Sequence, residues 1–420
     1  MTSIRLSKIK VVAVAGLLLV SVLGGSCASM PTFDSHLRSI VKPYRFSIAQ
    51  WETRTILQQA GQFIGDRKDE INDRKDEVAR YFSLVDQIST LKSQIAAVNN
   101  GNESGDSASQ EIELNRQQQR REALTGTVEN IIQEQIAETL AEQGIFHPLD
   151  KYIGLKVNFP PVDFKLEKPP HLLVISPRER IETIRTILVR EDITLRETED
   201  IEAQADELDV SSLVVDLGGL GAIYPVLVTN AANRQFVLDT AVHEWLHQYL
   251  VFKPLGFLYL LDLTGIARNY EIAMMNETLA DMVGKEISAI ISEKYYPEQE
   301  NDTRKKGNTE PVFNFDQEMR EIRKTVEQYL AGGEIEQAEE FMEQKRQFLA
   351  TKGYHVRKLN QAYFAFHGKY ADRPAFISPI GLELKELRTQ STSLRDFLNT
   401  AAALTSPQDL QIAVSAAAPK

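Results

Sequence analysis

The tightest constraint in this 420-residue chain is the run Ala241-Val242-His243-Glu244-Trp245-Leu246-His247. It lies in a stretch, residues 233–252, whose apolar members Phe236, Val237, Val242, Leu246 and Leu250 recur at helical spacing. On a helix, His243 and His247 project from one face a turn apart, so both rings can share one metal ion. Glu244 points about 100° away from His243, where it can reach a water on that ion without ligating it. A second helical stretch, about 268–293, carries Asn276-Glu277-Thr278-Leu279-Ala280-Asp281. Glu277 and Asp281 share a face there. Glu277 is expected as the third ligand, and Asp281 as the acceptor for the other ring N–H of a ligating histidine. Two histidines, a glutamate and a water make the open four-coordinate site of a catalytic zinc ion, so one Zn2+ per chain is expected. The single cysteine, Cys27, excludes internal disulfides and multi-cysteine metal sites, which leaves histidine and carboxylate as the donors.

The rest of the chain reads as α+β and mainly helical. Residues 48–98 form one long helical pattern in which Leu57, Ile64, Ile71, Val78 and Val85 recur every seven residues, with Ala60, Tyr81, Ile88 and Ile95 as the companion seam. The charged segment Asp66–Glu70 repeats at Asp73–Glu77. A polar Gly/Ser-rich turn, 99–109, leads into a second helical run, 110–143. The expected unit, 45–145, is an antiparallel helical hairpin of coiled-coil type, roughly 50 Å long, serving as a spacer or as an arm for a coiled-coil partner or homodimer. Residues 150–300 are expected to form the catalytic domain around a small sheet. Val162–Glu167 alternates like a half-buried strand, Leu172–Ile175 reads as an inner strand, and Leu213–Leu217 and Ile223–Val228 read as strands around Gly218-Gly219-Leu220-Gly221. Ser176-Pro177-Arg178-Glu179 has the cap, proline and glutamate of a helix start, with Ile181, Ile184, Ile187 and Leu188 as its buried face. Helices are expected over 315–331 and 334–369, in a C-terminal helical region, 312–400, that completes the cleft. Residues 401–420, rich in Ala, Ser and Pro, are expected to be a flexible tail.

The first ten residues carry three positive charges and no acid, and an apolar run from Val11 to Leu23 follows. That is the layout of an export signal. Cys27, the only cysteine, falls at its end, and the segment 1–26 with Cys27 resembles a bacterial lipoprotein signal, in which the cysteine becomes the lipidated first residue. A lipidated Cys27, or a retained N-terminal anchor, would place the protein at a membrane of the bacterial cell envelope. The formal charge of −12 argues against nucleic acid as a partner.

His243-Glu244-x-x-His247 together with Asn276-Glu277-x-x-Ala280-Asp281 resembles the gluzincin metallopeptidases, the broad group that contains thermolysin and the zinc aminopeptidases. The resemblance spans residues 233–293. It implies a zincin-like catalytic domain, a peptide or protein substrate, and Glu244 as the general base that takes a proton from the attacking water and passes it to the leaving amine. It also implies an edge strand before the His-Glu helix on which extended substrate pairs. Gly219, Gly221 and Ala222 occupy that place, although a glycine turn between core strands fits them equally well. Such enzymes use a Tyr or His to stabilise the oxyanion. Asn360, Tyr363, His367 and Tyr370 share one helical stripe, which makes Tyr363 and His367 the candidates, with Tyr270 and His355 behind them. Exo- and endopeptidase activity are both open. The competing readings are an inactive metallopeptidase-like scaffold, against which the presence of Glu244 argues, and a coiled-coil envelope protein whose histidine motif is accidental.

Overall fold

The computed structural model describes residues 33–52, 54–55, 71–99, 107–148, 158–297, 313–368 and 378–417. The signal segment with Cys27, the first heptad positions (Leu57, Ala60, Ile64), the Asp66–Glu70 segment and Tyr370 lie outside the described residues. Within them the chain is mainly helical, with two small three-stranded sheets. No helix among the described residues is long and apolar enough to cross a membrane.

After a short helix α1 (Phe33–Val41), helices α2 (Ile71–Asn99) and α3 (Ser107–Glu142) lie against each other. At 1.5 Å per residue they are about 43 and 54 Å long. Over part of its length the seven-residue period is a buried seam: Val78, Tyr81, Val85 and Ile88 on α2 and Val128, Ile132, Ile136 and Leu140 on α3 are all withdrawn from solvent, while Ile95 is half-buried. These seam residues are used up inside the chain, so any partner of the hairpin has to engage its other faces. Nor is the pair a free arm. The same apolar cluster runs on into Phe164, Val226, Trp245 and Leu279 of the body. Helix α3 also closes one edge of strand β1 (Phe164–Leu166): Glu129 accepts from the Leu166 N–H at 2.7 Å and from Lys165 at 2.8 Å, and Gln133 donates to the Phe164 carbonyl at 3.0 Å.

In the first sheet, β2 (His171–Pro177) is central and antiparallel to both β3 (Arg185–Val189) and β4 (Val210–Asp216), with Leu173 opposite Ile187 and Val214. Its side chains alternate as the pleat requires. Leu173 and Ile175 pack with α1 and helix α4 (Leu195–Asp206), while Val174 packs on the opposite face. The helix expected from Ser176-Pro177-Arg178-Glu179 is not formed. Ser176 and Pro177 end β2, and Ile187 and Leu188 belong to β3. The cap-like residues there lose to strand pairing, which the β-branched Thr186, Ile187 and Val189 favour.

The second sheet has the order β1-β6-β5, where β6 (Val226–Val228) is parallel to β1 and antiparallel to β5 (Gly219–Leu220). With β1 closed by α3, β5 is the remaining edge. Helix α5 (Arg234–Leu250) starts where Asn233 accepts from the Phe236 N–H at 2.9 Å. Helix α6 (Pro254–Leu263) follows after a tight turn. An added Cβ on Gly256 would lie 2.1 Å from the Leu250 carbonyl oxygen, so only glycine allows this return. Helix α7 (Tyr270–Tyr295) is capped by Asn269, which accepts from the Glu271 and Ile272 N–H groups. It packs along α5 at close range, since Gly284 has the Asp239 carbonyl 3.0 Å from the position its Cβ would take.

The C-terminal part divides. Helices α8 (Phe315–Ala331), α9 (Ile335–Thr351) and α10 (Gln361–His367) share an apolar cluster of Met319, Ile322, Val326, Met342, Leu349 and Phe364. The expected continuous helix 334–369 is broken, because α9 ends at Thr351, Gly353 takes a φ of +87°, and Asn360 caps α10 afresh. Helices α11 (Ile380–Gln390), α12 (Leu394–Ala402) and α13 (Pro407–Ala417) instead pack into the central core beside α7. The expected flexible tail is thus largely ordered helix: Ala401 and Ala402 close α12, and Leu410 of α13 is fully buried.

Candidate metal centre

Helices α5 and α7 bring His243, His247 and Glu277 together as the sequence predicts. These three form a group that could hold a metal ion. Their side chains are 12, 15 and 7 % exposed, respectively. His243 Nδ1 lies 3.0 Å from Asp281 Oδ1, and His247 Nδ1 lies 2.7 Å from Asn276 Oδ1. With both Nδ1 atoms donating, both Nε2 atoms present lone pairs. They face each other at 3.0 Å, and they face Glu277 Oε2 at 3.3 and 3.5 Å. That oxygen is buried and has no hydrogen-bond partner. Its twin, Oε1, accepts from the Tyr259 hydroxyl.

Three converging acceptors repel one another unless a cation, a proton or a metal ion, lies among them. The spacing suits a metal. Bonds of about 2.0–2.1 Å to a tetrahedral ion would put ligand atoms about 3.3 Å apart. The electrostatics agree. Burial opposes charge on His243, but its bond to Asp281 and the nearby Glu277 and Glu244 carboxylates overcome it, and its pKa stands well above the usual histidine value. Burial would raise the Glu277 pKa, but His247 and His243 hold it well below the carboxylate range.

Glu244 lies on α5 beneath the second sheet. Burial raises its pKa, against the lowering influence of His243, His247 and a hydrogen bond from the Gly221 backbone. The β5 segment rests directly on it. A Cβ on Gly219 would lie 2.8 Å from Glu244 Cγ and Oε1, and a Cβ on Gly221 would lie 2.7 Å from Oε2. Gln248, one turn along α5, donates to the Gly221 and Ile223 carbonyls at 3.1 and 2.8 Å and fixes the loop in which Ala222 sits half-buried. Thus Gly219, on β5, and Gly221, in the turn after it, border the carboxylate, and Ala222 follows in the same turn.

Tyr363 and His367 lie on helix α10, which packs on β2 and β4 and sets their rings 4.3 Å apart. Tyr363 packs into the apolar clusters of the first sheet and of α8–α9. Asn360 is spent as a cap, accepting from the Tyr363 N–H at 2.9 Å and donating to the Ser212 carbonyl at 2.9 Å. Tyr270 begins α7, where burial raises its pKa and the Arg323 guanidinium opposes that. His355 is exposed. His171 pairs with Asp216 at 2.6 Å, and His147 stacks on Phe159, both structural contacts.

Sequence reasoning missed Tyr259. It lies in α6, which no ligand spacing marks, and its signal is faint: a tyrosine beside Asp262 in an otherwise apolar run, Leu255–Leu263. The chain matches no family model, no curated protein and no solved structure. The functional reading therefore rests on the chemistry of the group.

Proposed function

We propose that this chain is a zinc metallopeptidase that hydrolyses peptide bonds, with His243, His247 and Glu277 as metal ligands and Glu244 as general base. The observation that carries the reading is the triangle of Nε2, Nε2 and Oε2 at 3.0–3.5 Å, each histidine held by a partner on its other ring nitrogen. Two nitrogens and one carboxylate oxygen are a donor set that suits zinc, and three protein ligands leave a position for chemistry. When bound, the zinc ion supplies Lewis acidity, polarising a carbonyl and acidifying water.

The chain's own groups do the rest. Glu244 takes a proton from the attacking water on a carboxylate oxygen and hands it to the leaving nitrogen, so one group serves as base and then as acid. The Gly221 N–H orients that carboxylate. An extended peptide added along β5, the outer strand of the second sheet among the described residues, would lay its scissile bond along the face that carries Glu244. An export signal that ends at Cys27 fits an enzyme tethered at the bacterial envelope through a lipid or an N-terminal anchor, with peptides or proteins there as substrates.

The test is metal content and peptide hydrolysis of the purified protein. Wild type should hold about one zinc per chain. Glu244→Gln should keep the metal and lose hydrolysis, while His247→Ala and Glu277→Ala should lose the metal. No bound metal after reconstitution with zinc would overturn the reading.

A further inference from the structure

We infer that Tyr259 is the positioning residue of the metal centre: its hydroxyl fixes Glu277 as a one-oxygen ligand, and its ring braces His247. The inference rests on the metal-binding part of the proposed function and not on the peptidase reaction.

Glu277 has two oxygens in a nearly closed site, 7 % exposed. Oε1 accepts from the Tyr259 hydroxyl, and Oε2 is left without a donor beside the two Nε2 atoms. The phenol therefore decides which oxygen faces the metal position. Without it, the carboxylate is free to turn, to present both oxygens, or to draw the Nε2–H of a histidine. The second contact concerns the other helix. The Tyr259 ring lies 5.4 Å from the His247 ring, at 31° to it. One side chain thus touches a ligand on α5 and a ligand on α7.

Its own placement is firm. Gly256 seats α6 against the Leu250 carbonyl, and Tyr259 follows one turn later. At the far end of α6, buried Asp262 accepts from the Asn269 N–H at 2.8 Å, which ties α6 to the start of α7. Helix α6 is therefore a bracket between the two ligand helices. Outer partners of metal ligands set ring and carboxylate orientation, and losing one typically weakens metal affinity about 10–100-fold.

The experiment uses the full chain, stripped of metal and titrated with zinc against a competing chelator, then with cobalt while the visible spectrum is recorded. Tyr259→Phe keeps the ring and removes the hydroxyl, and Tyr249→Phe serves as a control at a buried tyrosine on α5. Tyr259→Phe should weaken zinc binding about 10–100-fold and change the cobalt spectrum, while Tyr249→Phe does neither. Unchanged affinity and spectrum in Tyr259→Phe would overturn the inference. So would a Tyr259→Phe chain that no longer folds without metal, because the hydroxyl would then serve folding. Loss of turnover with affinity and spectrum intact would also overturn it and place the hydroxyl on the substrate. A wild type that binds no metal would remove the metal reading itself, a result distinct from any of these.

Discussion

His247 Nδ1 and Asn276 Oδ1 meet at 2.7 Å across the α5–α7 boundary, and this bond decides which ring nitrogen is offered to a metal. Asn276 is fully buried, and its Nδ2 has no partner, so its amide is held for the sake of its oxygen. Asn276→Leu keeps the volume and removes the acceptor. The His247 ring then lacks the bond that holds its tautomer. Zinc affinity should fall about 10–100-fold, as read by chelator competition. Asn276→Asp, which still accepts, should lose far less. Equal affinity in Asn276→Leu and wild type would show that the bond does not orient the ligand.

The metal-free protein should have an inverted pH response. The His243 pKa is raised in the fold despite burial, through Asp281 and Glu277. A raised pKa means stability that is fully present below the unfolded histidine value, about 6.5, and is lost as pH rises through the folded value. Metal-free protein should therefore weaken as pH is raised above about 6.5. Zinc competes with the proton for the same lone pairs, so its affinity should rise over that range. Urea denaturation with and without zinc from mildly acidic to mildly alkaline pH checks both signs. Metal-free stability that rises with pH would contradict the assignment of the proton to His243.

Gly219→Ala and Gly221→Ala should separate the proposed general base, Glu244, from the proposed metal site. Each new methyl would fall within 3 Å of Glu244 atoms, and at Gly219 it also meets Thr240 Cγ2 at 2.6 Å. Overpacking of this kind costs about 1–3 kcal/mol of stability. A carboxylate displaced by about 1 Å can lose on the order of 100-fold in rate. Both variants should retain one zinc per chain, because the ligands lie on α5 and α7. Full peptidase activity in both would mean that the β5 segment does not set the position of Glu244.

What the sequence revealed and what it hid follow from range. His243, Glu244 and His247, and again Asn276, Glu277 and Asp281, are each set by helical periodicity within one element, and both helices lie within two residues of where the pattern puts them. The buried seam of α2 and α3 was legible for the same reason. Ile184 and Ile187 repeat at a helical interval too, yet pairing with β2 made that segment a strand, a decision taken by residues elsewhere in the chain. Tyr259 was illegible because its meaning comes from a carboxylate on another helix. Tyr363 and His367 satisfied a helical stripe, but the break at Gly353 and the cap at Asn360 turned that short helix onto the first sheet.

The first sheet offers a control on which parts of the molecule support the site. Glu202 of α4 is 3 % exposed and carries three duties there. It accepts from the Val214 N–H at 2.6 Å and takes two bonds from Arg357, at 2.8 and 2.5 Å. Arg357→Met would leave the buried Glu202 carboxylate with the Val214 N–H and the more distant Lys358, 3.7 Å away, at a cost of about 2–3 kcal/mol, less than the about 3–5 kcal/mol of a dry interior because the arginine side is open to water. Glu202→Gln keeps an acceptor for the Val214 N–H and should cost less than Arg357→Met. Neither residue touches α5, α6 or α7 through the bonds described, so zinc per folded chain should stay at the wild-type value while the urea midpoint drops. Loss of zinc in step with stability would show instead that the sheet layer and the metal helices unfold as one cooperative unit.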